Sequence, residues 1–291
     1  MIESILVIKL GYLKQRRKRN KELMALNVIS IGSSSSGNSY LIQSEFSNII
    51  LDVGLSAKRI RAGLEFAYLR PENIDAILIT HEHVDHVGAI RAVAKDCDNA
   101  TVYASIGTVA NCEKFKHVDP ARLCYVKAGE KLEIGNIKVG IFRLSHDAAE
   151  PVGYFFTDGE DRLIVATDTG QVTPEIFEKM ENSNMLLIEA NYEEQLLMLG
   201  PYPYSVKRRI LSDLGHLSNV STAKAITELV QRNSSESEVP LRIMLGHISS
   251  NNNSPLQASM TVISELEQAG FEKGREYILT VASKDELVVM E

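Results

Sequence analysis

The stretch Thr80-His81-Glu82-His83-Val84-Asp85-His86 decides the fold of this chain. It follows Ile74-Asp75-Ala76-Ile77-Leu78-Ile79, a short apolar run rich in β-branched residues and opened by the turn-prone Pro71-Glu72-Asn73. Such a run has the length and composition of a buried strand. Three imidazoles and a carboxylate therefore fall where a strand ends and a helix begins. In an extended segment His81 and His83 point to the same side, so both reach one cation. Asp85 and His86 come where the chain turns into the apolar-periodic segment His86 to Ala94, in position to serve a second cation. Histidines gathered around a carboxylate are costly to hold together without a positive centre among them. With seven histidines in the whole chain, three within six residues fit a metal site far better than chance surface composition.

The same pattern repeats outward from that stretch. Ile49 to Gly54 reads as a strand ending in Asp52, a carboxylate able to orient a metal-bound imidazole. His146 follows the strand Ile137 to Leu144, Asp168 follows Leu163 to Ala166, and His247 follows Leu241 to Leu245. A single polar residue after a strand is ordinary; its recurrence at the same structural place is not. Upstream, the strand Leu26 to Ile31 leads into Gly32-Ser33-Ser34-Ser35-Ser36-Gly37-Asn38, and the next strand is Tyr40 to Gln43. Backbone N–H groups of Ser36, Gly37 and Asn38 could cradle a phosphate there, although a plain hairpin turn explains the same residues more simply. Helices are expected at Ser56 to Ala67, Ile106 to Phe115, Ser221 to Gln231 and Pro255 to Ala269. Further strands are expected at Thr101 to Tyr103, Lys131 to Ile134, Val152 to Phe156, Met185 to Ile188, Tyr277 to Val281 and Leu287 to Met290. Ser234 to Glu238 reads as a linker too short to separate domains, and His117 as an exposed surface residue.

Bulk properties set limits on function. The chain has 291 residues, 44% of them hydrophobic and 24% charged, as in ordinary globular proteins. Its formal net charge is −7. Residues 1–23 hold seven Lys or Arg against Glu3 and Glu22, so the remainder has 24 basic and 36 acidic side chains, a net −12. That acidic body excludes a broad polyanion-binding face; a nucleic acid would have to be held locally, by metals and a basic groove. Cys97, Cys112 and Cys124 are odd in number and lack metal-type spacing, so they read as core or half-buried thiols in a reducing cytoplasm. In Met1 to Leu13 an apolar stretch precedes the basic run Lys14 to Arg19, the reverse of a secretory signal, and it is too short to span a bilayer. Residues 1–23 are expected to form a basic extension outside a single domain covering 24–291, with no stable membrane association.

The ligand-type residues resemble the metallo-β-lactamase-fold hydrolases: an HxHxDH motif, a later His, a bridging Asp and a final His. The likeness runs from about residue 25 to the C-terminus. It implies an α/β fold, a four-layer αβ/βα sandwich of two mixed sheets, with metals at one edge. It further implies that His81, His83 and His146 hold one divalent ion, that Asp85, His86 and His247 hold another, and that Asp168 is shared, with Asp52 behind them. Residues 34–39 (Ser-Ser-Ser-Gly-Asn-Ser), 146–154 (His-Asp-Ala-Ala-Glu-Pro-Val-Gly-Tyr), 215–219 (Gly-His-Leu-Ser-Asn) and 246–253 (Gly-His-Ile-Ser-Ser-Asn-Asn-Asn), with Tyr202-Pro203, Lys207 and Arg209, resemble the YycJ (WalJ)-like subgroup. That subgroup implies a bacterial, cytoplasmic, exonuclease-like enzyme acting on DNA. Glu189 and His216 resemble the pair with which RNase Z protonates its leaving group. The 59 positions between His86 and His146 contain no Gly/Pro-rich arm, and the 78 between Asp168 and His247 leave no room for a β-CASP insertion.

The expected chemistry is phosphodiester hydrolysis by a hydroxide shared between two divalent metal ions. Zinc and manganese suit these nitrogen and carboxylate donors, and iron is compatible with them. Asp85 counts among the catalytic residues as well as the ligands. His216, held by Glu189, would donate the proton to the leaving oxygen. Lys207 and Arg209 would hold the nucleic-acid backbone, unless Lys207-Arg208-Arg209 is simply a solvated helix face. The same metals would equally serve a small-molecule hydrolase, a lactonase or thioesterase of the glyoxalase type. The Glu189 and His216 pair and the basic segment favour the nuclease, since ester hydrolysis needs neither. A non-catalytic binding module would have no use for seven ligand-type groups.

Overall fold

A computed structural model of the chain describes residues 26–233 and 239–291. Residues 1–23, expected as an extension, and the expected linker at 234–238 lie outside the described residues. The strands are β1 (Asn27–Ser34), β2 (Gly37–Gln43), β3 (Asn48–Leu51), β4 (Ala76–Leu78), β5 (Thr101–Ser105), β6 (Leu123–Val126), β7 (Lys131–Ile134), β8 (Ile137–Arg143), β9 (Val152–Thr157), β10 (Arg162–Ala166), β11 (Met185–Glu189), β12 (Leu241–Gly246), β13 (Tyr277–Val281) and β14 (Val288–Val289). They form two seven-stranded sheets, in the orders β14-β1-β2-β3-β4-β5-β6 and β13-β12-β11-β10-β9-β8-β7. Each sheet is mixed: antiparallel hairpins lead into parallel strands, from β3 to β6 in the first and from β10 to β13 in the second.

The apolar runs bury both faces of each sheet. In β3, Ile49 and Leu51 face the other sheet while Ile50 faces helices, the two-residue period of a strand. In β11, Met185 and Leu187 lie in the intersheet core, and Leu186 and Ile188 lie in the outer one. The first outer layer is built by α1 (Ala57–Phe66), α2 (Val84–Val87), α3 (Ile90–Asp96) and α4 (Ile106–Ala110). On the other side lie α5 (Pro174–Met180), α6 (Glu194–Leu199), α7 (Tyr204–Ile210), α8 (Asn219–Asn233) and α9 (Pro255–Gln268). The result is the expected αβ/βα sandwich, with its middle core between the sheets.

Local differences from the sequence reading have simple causes. Edge strand β6 escaped it because the run Leu123-Cys124-Tyr125-Val126 is only four residues long, and at the sheet edge Cys124 and Tyr125 are exposed; Cys124 is therefore a surface thiol, while Cys97 is buried and Cys112 half-buried. The segment after the His cluster is broken at Gly88 and Ala89 into α2 and α3, and the helix expected to reach Phe115 stops at Ala110 before a 3₁₀ turn at Glu113–His117. Helices α5 and α6 are too short to show a period. His117 is exposed, as expected.

Parallel strands bring their carboxyl ends to one edge, where open α/β sheets place their functional groups. Asp52 and His81 follow β3 and β4, Asp168 and His247 follow β10 and β12, and Glu189 ends β11. Tyr154 donates to the carbonyl of Ile79 at 2.7 Å and Val152 N–H to that of Thr80 at 3.0 Å, so the second sheet grips the strand end that carries His81. Gly54 shows how closely the loop after β3 meets α2: a Cβ there would lie 1.6 Å from the Asp85 carbonyl oxygen. The flanking bonds, Val53 N–H to His86 O and Ala89 N–H to Val53 O, fix that approach. Gly54→Ala is expected to lower unfolding free energy by about 2–4 kcal/mol by forcing α2 outward. Denaturant unfolding beside the unaltered chain measures the loss, and an unchanged midpoint would contradict this packing.

Candidate metal centre

The site is assembled from strand ends that the backbone does not adopt freely. Among the described residues five non-glycine residues have positive φ, and three of them are Asp52 (58°), Asp168 (59°) and His247 (49°). Asp52 and His247 are the first residues past their strands and Asp168 the second past its own, and a left-handed turn there redirects the side chain into the gap between the sheets. His83 caps the start of α2, the turn that presents Asp85 and His86 to the same gap.

Two groups of donor atoms converge. His81, His83 and His146 form one, with donor atoms within 4.8 Å of one another; Asp85, His86, Asp168 and His247 form the other. Asp168 also groups with His146 and His216, so its carboxylate stands between the two. His146 Nε2 is 3.3 Å from His83 Nδ1, and His247 Nε2 is 3.3 Å from Asp85 Oδ2. Three of the imidazoles are oriented through their other nitrogen. His86 Nδ1 lies 2.7 Å from Asp52 Oδ2, His146 Nδ1 lies 3.0 Å from the Gly215 carbonyl, and His81 Nδ1 lies 3.0 Å from Thr80 Oγ1. Such bonds fix the tautomer that leaves Nε2 of His86 and His146 bare toward the gap. Asp52 in turn accepts the Thr80 N–H at 2.9 Å and the Thr80 hydroxyl.

The cluster fits a divalent cation. His81 Nε2 and Asp168 Oδ2 are buried and make no hydrogen bond, although buried polar atoms are otherwise nearly always paired. Burial and the neighbouring His86 hold His81 well below the usual histidine range, the neutral form that a ligand needs. Burial acts to raise the Asp168 carboxyl, yet His247 and His86 outweigh it and hold it well below the usual range. The opposite balance holds for His247: burial lowers it, but Asp168, Asp85 and Glu189 push it up to about 10. Carboxylates here demand positive charge, which protons on imidazoles or a cation can supply, so metal binding displaces protons.

The beta-lactamase superfamily domain matches residues 47–237, about two-thirds of the chain. The chain belongs to the beta-lactamase superfamily. It is thereby a metal-dependent hydrolase. It is 35% identical over 258 residues to the exodeoxyribonuclease WalJ of Streptococcus pneumoniae (strain D39), covering 88% of this chain and 93% of that protein. The exodeoxyribonuclease YycJ of Bacillus anthracis is 33% identical over 255 residues, covering 87% and 94%. Among solved structures, the metallo-β-lactamase-fold protein YhfI of Bacillus subtilis superposes with a TM-score of 0.64 over 91% of this chain and 99% of its own, at 15% identity. That last likeness is one of fold.

Around this superfamily centre the remaining expected residues take different places. His216 Nδ1 lies 3.0 Å from Glu189 Oε2. Glu189 is fully buried and its other oxygen accepts the Thr169 N–H at 2.6 Å, while Oε2 also lies 3.3 Å from His247 Nδ1. Burial acts to raise its carboxyl, but His216 and His247 hold it below the usual range. Arg209 pairs with Asp147, one of whose oxygens lies 3.4 Å from His146 Nε2, so it sits at the rim of the first donor group. Lys207 donates to the Met198 carbonyl at 2.7 Å and is spent within its own helical pair.

Ser33 to Asn38 form a tight hairpin turn between β1 and β2. The N–H groups of Ser34 and Ser36 donate to Asn38 Oδ1 and Ser34 Oγ, so part of the expected phosphate cradle is already occupied. Gly37 packs where a Cβ would meet Leu55 at 2.8 Å, and Ser36 is the exposed residue of the three expected to bind substrate. Asn38 Nδ2 lies 3.3 Å from His86 Nε2, while Ser33 Oγ accepts the His247 N–H at 2.7 Å and meets Tyr40 Oη at 2.6 Å. The hairpin thus touches both imidazoles of the second group. Ser33, Thr80 and Asp147 went unassigned in the sequence because each acts through a neighbour; their adjacency to site motifs was the only signal.

Asp168→Ala is expected to abolish tight metal binding and activity together, as read by elemental analysis of the purified protein. Ser33→Ala removes the acceptor of the His247 N–H and should weaken metal affinity about 10–100-fold. Competition with a chromophoric chelator measures it, and unchanged affinity would mean the hairpin does not support His247.

Proposed function

We propose that this chain is a dinuclear-metal-dependent phosphodiesterase of the DNA exonuclease kind, working in the cytoplasm. One observation carries the reading: His216 stands 3.0 Å from a buried Glu189 carboxylate and joins both donor groups at their shared edge. Two relatives covering nearly all of their length, the pneumococcal and Bacillus anthracis proteins, are named exodeoxyribonucleases, and this supports DNA as the substrate. The donor set, nitrogen and carboxylate without thiolate, suits zinc or manganese, with iron compatible. Bound ions would supply Lewis acidity, polarising a phosphoryl oxygen and activating water near neutral pH.

The residues of the chain do the rest. His81, His83 and His146 would hold one ion and Asp85, His86 and His247 the other, with Asp168 available to both. A phosphodiester releases an alkoxide-like oxygen, which departs readily only if it gains a proton. His216 gives that proton from Nε2, because Nδ1 is engaged by Glu189. Glu189 fixes the ring and, through Thr169 and His247, ties its position to the loops after β10 and β12. Arg209 at the rim steadies the phosphate backbone, while Lys207, bonded to the Met198 carbonyl, holds the helical pair that carries it, and Ser36 lies exposed on the hairpin where a chain terminus can be met. A lactone or thioester would need none of these groups, so they favour the nucleic-acid reading.

His216→Ala should retain its metals yet cut DNA about 10²–10⁴-fold more slowly. The same change should barely alter turnover of bis(p-nitrophenyl) phosphate, whose leaving group departs as a stable anion without a proton. Metal-supplemented assays on 5′-phosphorylated and unphosphorylated DNA, with a lactone and a thioester alongside, provide the comparison. Equal losses on DNA and on the activated diester would remove His216 from the proton-donor role, and turnover of the lactone or thioester alone would overturn the nuclease reading.

A further inference from the structure

Each donor group is built across the gap between the sheets. His81 and His83 follow β4 of the first sheet and His146 follows β8 of the second, while Asp85 and His86 of α2 face Asp168 and His247, which follow β10 and β12. The placing of one sheet edge against the other therefore sets the donor separations, and those decide whether a cation fits. In the second group a side chain of the first sheet reaches across, since Ser33 Oγ of β1 accepts the His247 N–H at 2.7 Å. A bond of the same kind spans the first group.

Its acceptor is Glu82. His81 and His83 send their rings into the gap, and the residue between them in an extended segment points the other way. Glu82 Oε1 accepts the Ala149 N–H at 2.7 Å, and Oε2 lies 3.5 Å from Thr108 Oγ1. Glu82 belongs to neither donor group. Ala149 lies in the loop between β8 and β9, the loop that carries His146. Glu150 hooks the same loop to the start of α4, where its Oε2 accepts the Gly107 N–H at 2.8 Å and its carbonyl the Ser105 hydroxyl at 2.7 Å. A Cβ on Gly107 would lie 2.5 Å from Glu150 Cβ, so loop and helix are also tightly packed. On the far side the Gly215 carbonyl meets His146 Nδ1 at 3.0 Å. The His83 ring has no support of that kind: among the described residues its hydrogen-bond contact is with His146 alone.

We propose that Glu82 is a positioning residue for the first donor group: its carboxylate holds the His146 loop against the HxH segment and so sets the separation of His83 and His146 for a divalent cation. The proposal rests on the two-ion reading above. A carboxylate beside two ligands could otherwise act as a ligand, or as a charge that draws the cation in. As a ligand it would have to release Ala149 and turn back through the chain, and attraction by charge needs no particular reach. The bond to Ala149 does need it. Glu spans the distance, Asp is one methylene too short, and Gln has the same reach with an uncharged acceptor.

The test measures zinc affinity by competition with a chromophoric chelator for the wild type, Glu82→Asp and Glu82→Gln. Each is also made in two backgrounds: His247→Ala, which leaves the first group to bind, and His146→Ala, which leaves the second. Glu82→Asp should weaken zinc binding about 10–100-fold in the His247→Ala background and leave it unchanged in the His146→Ala background, whereas Glu82→Gln should match its parent in both. In the metal-free proteins the Ala149 amide should exchange with solvent faster in Glu82→Asp than in the wild type or Glu82→Gln. If Glu82→Asp binds zinc as tightly as the wild type, or protects the Ala149 amide equally, the clamp is wrong and the two-ion reading stands. Equal losses in Glu82→Asp and Glu82→Gln would make charge the cause, and equal losses in both backgrounds would make it a general loosening; either overturns the proposal. If the wild type binds one zinc ion rather than two, the two-ion reading fails, and the clamp stands only where that ion is lost from His146→Ala and weakened in Glu82→Asp.

Discussion

The Asp168 carboxylate is the constraint on which the rest depends. It is buried at the edge where two sheets meet, on a residue whose backbone is turned into the left-handed region. A lone carboxylate in that position would be prohibitively costly. It is compensated by His86 from α2, beside the first sheet, and by His146 and His247 from the loops after β8 and β12 of the second. Each of those imidazoles needs its own support, and that support spreads outward through Asp52, Gly215 and Glu189. The sandwich thus closes around a charge problem at its edge, and a divalent cation is the solution that leaves every nitrogen neutral.

This arrangement explains why the site was largely legible in the sequence. Strand periodicity marks where each strand stops, and in this topology the stops share one edge, so His81, His146, Asp168 and His247 could be gathered without coordinates. The HxHxDH spacing adds the turn of α2. Glu189 was legible only as a partner of His216; its bond to Thr169 and its contact with His247 were not, because they join segments that no spacing relates. In the fold, buried strands were legible and β6 was not, since its run Leu123 to Val126 is only four residues long and lies at the sheet edge with Cys124 and Tyr125 exposed. Helices of six or seven residues such as α5 and α6 escape for a related reason: they span less than two turns.

The Ser33–Asn38 hairpin illustrates a limit of motif chemistry. Small residues and glycines suggest backbone donors free for an anion, but small residues are equally what a backbone needs in order to pass close to another. Here the second cause operates. Gly37 passes against Leu55 and Gly54, Asn38 turns its amide inward, and Ser33 spends its hydroxyl on His247. The composition reflects crowding beside the second donor group, and the residues left facing outward are Ser35 and Ser36.

Charge distribution places the centre in its setting. A net −12 body would repel a polyanion if charge acted as an average, but screening confines exposed charges to about 8 Å at physiological salt. What a ligand meets is therefore local, and the segment joining Glu189 to His216 balances Lys207, Arg208 and Arg209 with Glu193, Glu194 and Asp213. Its inner cation, Arg209, is held by Asp147 beside His146, which binds the helical pair to the donor group it borders. Lys207 is tied within the same helical pair, to the Met198 carbonyl. Two of the three cations on this segment thus serve to hold the rim of the site together.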